Sequence, residues 1–256
     1  MRGVTEDTTR QATALAVRDV SIAFRGVKAL QNVSFDVPIG GVTALIGPNG
    51  AGKTTLLNCI SGLYRSSGDV LVDGEPLGES EPHERCLRGL ARTFQTPSLL
   101  EDYAAVDNVM LGAHRTARGL VGGRGGSLRE PELRQMSLDL LDRLGIVHLA
   151  AVRVSDLAHA DRRRIETARA LVAAPSVLML DEPAAGLDDD EAQELLRVAA
   201  EYSGTCVLVE HNMSLVMSVA KYVVVLATGR VLAAGTPDEV RNDPAVIDAY
   251  LGDEVT

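Results

Sequence analysis

Nine consecutive residues, Gly47-Pro48-Asn49-Gly50-Ala51-Gly52-Lys53-Thr54-Thr55, carry the clearest chemistry in this 256-residue chain. Gly47, Gly50 and Gly52 let the backbone turn tightly and aim N–H groups at an anion, as phosphate binding requires. The strand-like run Val42–Ile46 leads in and the helical run Leu56–Ser61, closed by Gly62, leads out. A bound phosphate would therefore meet the N-terminal end of a helix, where the dipole favours negative charge. Lys53 supplies a point charge for β- and γ-phosphates, and the Thr54 hydroxyl is placed to ligate Mg²⁺. The pattern predicts a nucleoside triphosphate site.

A second pattern is Val177-Leu178-Met179-Leu180-Asp181-Glu182-Pro183. A buried strand would deliver Asp181 to its carboxyl end, where ligands of α/β sheets gather. Asp181 is the natural Mg²⁺ partner of Thr54. Glu182 is suited to polarise an attacking water, which is a poor nucleophile at neutral pH. A third pattern, Val209-Glu210-His211, again ends an apolar strand and puts His211 where a donor to a γ-phosphate is wanted. His83, His114 and His148 have no such setting.

These groups need elements to hold them. Leu15–Phe24 and Leu30–Val37 read as an antiparallel layer, and Val42–Ile46 and Val70–Val72 as further strands. Val177–Leu180, Thr205–Val209 and Tyr222–Leu226 are short and almost wholly apolar, as a parallel sheet covered on both faces requires. Thr228-Gly229 predicts a hairpin turn into a last strand around Val231–Ala233. Residues of about 85–170 read as an inserted helical lobe, with Leu133, Met136, Leu140 and Leu144 in helical period before Gly145. Gly119–Ser127 reads as a flexible break within it. Residues 1–14 read as a flexible tail.

Composition narrows the function. The net charge is −10, aromatic residues make up 3% and there is no Trp; both facts disfavour nucleic acid, which needs basic contacts and stacking platforms. The three cysteines, Cys59, Cys86 and Cys206, have no paired spacing and read as small buried or half-buried residues rather than a metal framework. The opening MRGVTEDTTRQATA lacks the apolar core of a secretory signal. No apolar run reaches the length that spans a bilayer, so any membrane role is expected to pass through a partner.

Taken together, these residues resemble the ABC transporter ATPase family from about residue 15 to the C-terminus. The resemblance implies an α/β fold: a P-loop NTPase core with a parallel sheet, an N-terminal antiparallel β layer and an inserted helical lobe, within one ATPase domain over 15–256. It implies ATP and Mg²⁺ as cofactors. Phe24 matches the aromatic that stacks on adenine. Gln95, in Arg92-Thr93-Phe94-Gln95, matches the glutamine that reaches Mg²⁺ and water and lies at the groove receiving the membrane subunit. Gly186-Leu187-Asp188 matches the loop that crosses between two subunits. The implied catalytic set is Lys53, Gln95, Glu182 and His211, with Thr54, Gln95 and Asp181 on the metal side.

Within the family the chain is similar to the branched-chain amino acid importer ATPases, through Arg-Thr-Phe-Gln, Pro-Ala-Ala-Gly-Leu after Glu182, Val-Glu-His-Asn-Met, and Asp243-Pro-Ala-Val-Ile-Asp-Ala-Tyr250-Leu-Gly. It departs at the signature, usually Leu-Ser-Gly-Gly-Gln, which here is Leu157-Ala158-His159-Ala160-Asp161. Ala160 would be strained if that position needs a left-handed backbone, and Asp161 would bring negative charge near a polyphosphate. The implied partners are a second ATPase subunit, the same or different, and transmembrane permeases, placing the chain on the cytoplasmic face of a membrane. A weakly hydrolysing regulatory subunit and a soluble non-transport relative stay open as alternatives.

Overall fold

The computed structural model describes residues 12–95, 98–113 and 130–251. Two sheets form the frame. The first is antiparallel, in the order β2-β1-β4-β5, from β1 (Thr13–Phe24), β2 (Val27–Pro38), β4 (Ser67–Val72) and β5 (Glu75–Pro76). The second has the order β10-β9-β3-β8-β7-β6, from β3 (Gly41–Ile46), β6 (Leu90–Arg92), β7 (Val177–Asp181), β8 (Thr205–Val209), β9 (Ala220–Ala227) and β10 (Arg230–Gly235). Its pairs are parallel except β9 with β10.

Helices cover the second sheet. They are α1 (Lys53–Ile60), α2 (Pro82–Leu87), α3 (Ala105–Leu111), α4 (Glu130–Arg143), α5 (His159–Val172), α6 (Asp189–Ala200), α7 (Met213–Val219), α8 (Pro237–Arg241) and α9 (Pro244–Leu251).

Every residue of β3, β7 and β8 is buried, which is why these runs lack polar alternation. One face carries Met179, Val207, Val209 and Leu226, packed with Leu15, Val17 and Val20 of β1 and Leu56, Leu57 and Ile60 of α1. The opposite face splits in two. Leu178, Leu180 and Leu208 pack with α3, α4, α5 and α6, whereas Ala44, Ile46, Val223 and Val225 pack with Val216, Val240 and Val246. The large sheet is thus the middle of three layers.

The predicted antiparallel pairing of the first two strands is present, with Leu15 opposite Val37 and Val17 opposite Phe35. The Thr228-Gly229 hairpin is present too, both residues at positive φ (46° and 75°) as a type I′ turn demands. Arg25-Gly26 and Asp73-Gly74 make the same turn.

Some details differ from expectation. Leu90–Arg92, inside the span read as helical, is a strand that extends the large sheet beside β7. Of the expected helical stripe, Leu144 is buried and Leu133 and Leu140 pack partly buried against the core, but Met136 is exposed, and the fully buried positions of α4 are Ser137 and Leu141. Cys59 and Cys206 are buried, but Cys86 is exposed. Residues 13 and 14 of the expected tail belong to β1, and the Gly119–Ser127 break lies outside the described residues.

Candidate functional site

Register brings the chemistry to one edge of the sheet. Asp181 pairs with Val209 and Ile46 with Val225, so the residues after β3, β7 and β8 all leave from the same, carboxyl end.

The glycine-rich loop has little freedom at its start. Gly47 has φ 148°, and a Cβ there would lie 1.9 Å from the Leu226 carbonyl oxygen. Ala51 accepts a hydrogen bond from the Gly229 N–H at 3.0 Å, tying the loop to the β9–β10 hairpin. Gly52 caps α1 in a left-handed conformation with no side-chain cap, which leaves the first-turn N–H groups available to an anion. Lys53 is buried, and its Nζ donates to the Gly47 and Pro48 carbonyls at 2.6 and 3.0 Å. Burial lowers its pKa, opposed by the carboxylates of Glu182 and Asp181. Pro48 is half-buried, Asn49, Gly50 and Thr54 are exposed, and Thr55 is half-buried.

Across from the loop, Asp181 is 1% exposed and ion-paired with Arg92, Oδ2 to Nη2 at 2.9 Å. Burial raises its pKa, and the Arg92 guanidinium opposes the shift. Its other oxygen, Oδ1, is buried without a hydrogen-bond partner. An orphaned carboxylate oxygen is costly unless something else binds it, and a hard cation suits it. Among the described residues no group of three or more His, Cys, Asp or Glu could cage a metal. A metal here would share its shell with phosphate and water, as Mg²⁺ does at nucleotide sites. The residues fit such an ion.

Glu182 follows at φ 52°, a left-handed conformation that costs about 1–3 kcal/mol for a residue with a side chain. Its N–H donates to the Val209 carbonyl at 2.9 Å, holding the bend. Two of the predicted residues then converge on one oxygen of Glu182. His211 Nε2 lies 2.6 Å and Gln95 Nε2 3.3 Å from Oε1. Phe24 is 43% exposed and pairs edge-on with Tyr64, ring centroids 5.3 Å apart. Its hairpin abuts the loop: a Cβ at Gly52 would meet the Ala29 carbonyl at 3.0 Å.

Other residues here carry weight that sequence reasoning missed. Glu210 is buried, its pKa raised by that burial, and accepts from the N–H groups of Ala184 at 2.7 Å and His211 at 3.2 Å. It thereby fixes the loops on both sides of the Glu182–His211 contact. Phe94, beside Gln95, is held twice by α5: its N–H donates to Glu166 Oε1 at 3.3 Å, and its carbonyl accepts from Arg163 Nη1 at 3.2 Å. Beside Phe94 opens a groove of about 540 Å³, walled by Leu63, Leu87, Leu111, Glu166 and Arg169.

The last three residues of the departing signature are regular helix. Ala158 caps α5, and His159, Ala160 and Asp161 form its first turn. Ala160 is not among the residues at positive φ, so the expected strain is absent. Nor is the Asp161 charge isolated. Arg164 Nη2 bridges Asp161 Oδ1 and Glu191 Oε1, each at 2.7 Å. Glu191 in turn forms a capping box with Asp188 at the start of α6, which links the signature turn to the Gly186-Leu187-Asp188 loop.

The comparisons with known proteins agree with this geometry. The family described as "ABC transporter" matches residues 30–185, and the chain belongs to it: it is an ATP-hydrolysing cassette of the transporter type. A second family, "Branched-chain amino acid ATP-binding cassette transporter", matches residues 230–256. The chain is similar to the high-affinity branched-chain amino acid transport ATP-binding protein LivG of Salmonella typhimurium, 39% identical over 251 residues, 93% of this chain and 98% of that one. BraF of Pseudomonas aeruginosa, of the same description, is 36% identical over 249 residues, covering 93% and 98%. A crystal structure of a nucleotide-free ATP-binding cassette from an ABC transporter superposes with a TM-score of 0.79 at 28% identity, covering 93% and 98%. A crystal structure of the ADP conformation of another such cassette gives the same score and identity over 94% and 99%.

Proposed function

We propose that this chain drives import of branched-chain or related amino acids, as one of two ATPase subunits attached to membrane permeases on the cytoplasmic face. The single observation that carries the chemistry is the convergence of His211 and Gln95 on Glu182 Oε1. A carboxylate so held presents its other oxygen to a water. That water's oxygen bonds to the γ-phosphorus of ATP, its proton goes to Glu182, and the bridging oxygen leaves with ADP. Lys53 and the N–H groups of the loop and α1 bind the phosphates, and His211 keeps Glu182 oriented through Nε2. Phe24 stacks on adenine. Thr54, Gln95 and Asp181 would hold Mg²⁺, which would supply neutralisation of phosphate charge.

The importer reading is supported by the names of the relatives and by the groove beside Phe94. Among the described residues no helix is long and apolar enough to cross a membrane, so the membrane-crossing path is assigned to the permeases. Leu63, Leu87, Phe94 and Leu111 are 47, 54, 38 and 38% exposed around the groove, an apolar rim suited to a permease helix. The test is reconstitution of the chain with permeases and binding protein encoded beside it, followed by uptake of radiolabelled leucine into ATP-loaded vesicles. Leucine uptake that requires ATP and is lost in Glu182→Gln supports the proposal; ATP hydrolysis without uptake of any amino acid overturns it.

A further inference from the structure

One guanidinium reaches the elements that carry all three metal-side groups. Arg92 ends β6, next to β7, and its side chain is 5% exposed. Nη2 donates to Asp181 Oδ2 at 2.9 Å. Nη1 donates to Asn58 Oδ1 at 2.7 Å and Ser61 Oγ at 3.0 Å, at the far end of the helix that begins with Lys53 and Thr54. Its Cζ lies 5.1 Å from the centroid of the Phe94 ring, and Phe94 precedes Gln95. The adjoining Thr93 adds a second hold, its Oγ1 accepting from the Asp181 N–H at 3.3 Å.

We propose that Arg92 is a positioning residue for metal binding: it ties up Asp181 Oδ2 so that Oδ1 alone is presented, and it locks that carboxylate to the helix bearing Thr54. This rests on the reading of Asp181 as a metal-side group. The contact pattern supports it over a role in stability alone. A buried ion pair is a weak way to stabilise a core, since desolvation of both charges offsets their attraction. Here Asp181 Oδ1 and Arg92 Nε both stay without hydrogen-bond partners, which compounds the cost. A planar fork is also well matched to these acceptors. Two nitrogens of one rigid group meet three of them on two elements, which a flexible ammonium cannot reproduce.

Arg92 also places positive charge near a cation, which by itself would weaken metal binding. Orientation and charge therefore predict opposite signs. Outer-shell partners that orient a ligand change metal affinity by about 10- to 100-fold when removed.

The experiment titrates Mn²⁺ into the full chain with saturating ADP, reading free Mn²⁺ by electron paramagnetic resonance. ADP affinity in EDTA and thermal unfolding are measured alongside. Arg92→Gln and Arg92→Lys should both weaken Mn²⁺ binding by about tenfold or more, while ADP affinity in EDTA stays as in the parent. Asn58→Ala combined with Ser61→Ala, which frees Arg92 from α1 and leaves its ion pair, should weaken Mn²⁺ binding in the same direction; that pair decides the matter if the Arg92 variants do not fold. Parental or tighter Mn²⁺ binding in Arg92→Lys overturns the proposal, as does an equal loss of ADP affinity in EDTA. Asp181→Asn separates the two ideas. If it leaves Mn²⁺ binding unchanged, the reading of Asp181 fails; if it weakens binding and the Arg92 and Asn58/Ser61 variants do not, only the role of Arg92 fails.

Discussion

His211 Nε2 lies 2.6 Å from Glu182 Oε1, the same oxygen that Gln95 Nε2 approaches at 3.3 Å. The two donors leave from different strand ends, and they meet on a residue whose backbone is bent into the left-handed region. An acid held from both sides has one oxygen to offer, which gives the first prediction its form. Glu182→Gln keeps the shape of the side chain and removes the proposed base. Phosphate release should fall by about 10²- to 10⁴-fold while ATP binding persists. Parental turnover in that variant would assign the base elsewhere.

Lys53 is held by two loop carbonyls and lies near both carboxylates. Lys53→Ala should remove a charge-assisted contact to phosphate of about 2–3 kcal/mol, weakening ATP binding by tens of fold. Calorimetry giving an unchanged ATP affinity would dismiss this loop as the phosphate site.

Gly47 and Gly50 share a motif and differ in surroundings. A methyl at 47 would collide with the Leu226 carbonyl, whereas one at 50 meets nothing within 4 Å and bears only its φ of 78°. Gly50→Ala should cost about 1–2 kcal/mol, a fall in melting temperature of roughly 2–8 °C for a domain of this size. Gly47→Ala should fall further and lose ATP binding. Equal behaviour of the two would contradict the close approach of the loop to β9.

For the signature, the geometry revises the expectation from sequence. With Ala160 helical and Asp161 paired to Arg164, restoring Gly and Gln relieves no strain. The double variant Ala160→Gly, Asp161→Gln should melt lower than the parent, with glycine alone costing about 1 kcal/mol in the helix. The ATPase rate of the lone chain should change by less than about threefold. A tenfold rise would restore the idea that this half-site is crippled and needs a different partner.

Cys86 gives a direct view of the groove, which it lines. Cys206 is fully enclosed and its thiol is pushed up to about 12, while burial also raises Cys59. A maleimide should therefore label Cys86 alone near neutral pH. Assembly with the permeases should protect it, and labelling at the free-chain rate in the assembled complex would move the docking surface elsewhere.

Much of this was legible from residues alone, and the gaps have a pattern. Strands buried on both faces announce themselves, because no polar residue interrupts Val177–Leu180 or Cys206–Val209. The three-residue β6 does not; it is too short for any periodicity, and only its pairing with β7 makes it a strand. In the candidate site, glycines and acids at motif spacing pointed to the Gly47–Thr55 loop and to Glu182, which the fold brings to the same end of the large sheet. Arg92, Glu166 and Glu210 carry charges that sequence reasoning assigns to solvent. Only tertiary packing buries them, leaving the side chain of Arg92 5% exposed and the residues Glu166 and Glu210 2 and 7% exposed.

The double grip of α5 on Phe94 has a mechanical consequence. With both the N–H and the carbonyl of that residue tied to Glu166 and Arg163, the peptide cannot shift against the helix without breaking one of two hydrogen bonds that involve charged side chains. Gln95 is the next residue along, and its amide rests on Glu182. A displacement of α5 from the groove would therefore be passed through the Phe94 backbone and the side chain of Gln95 toward the acid.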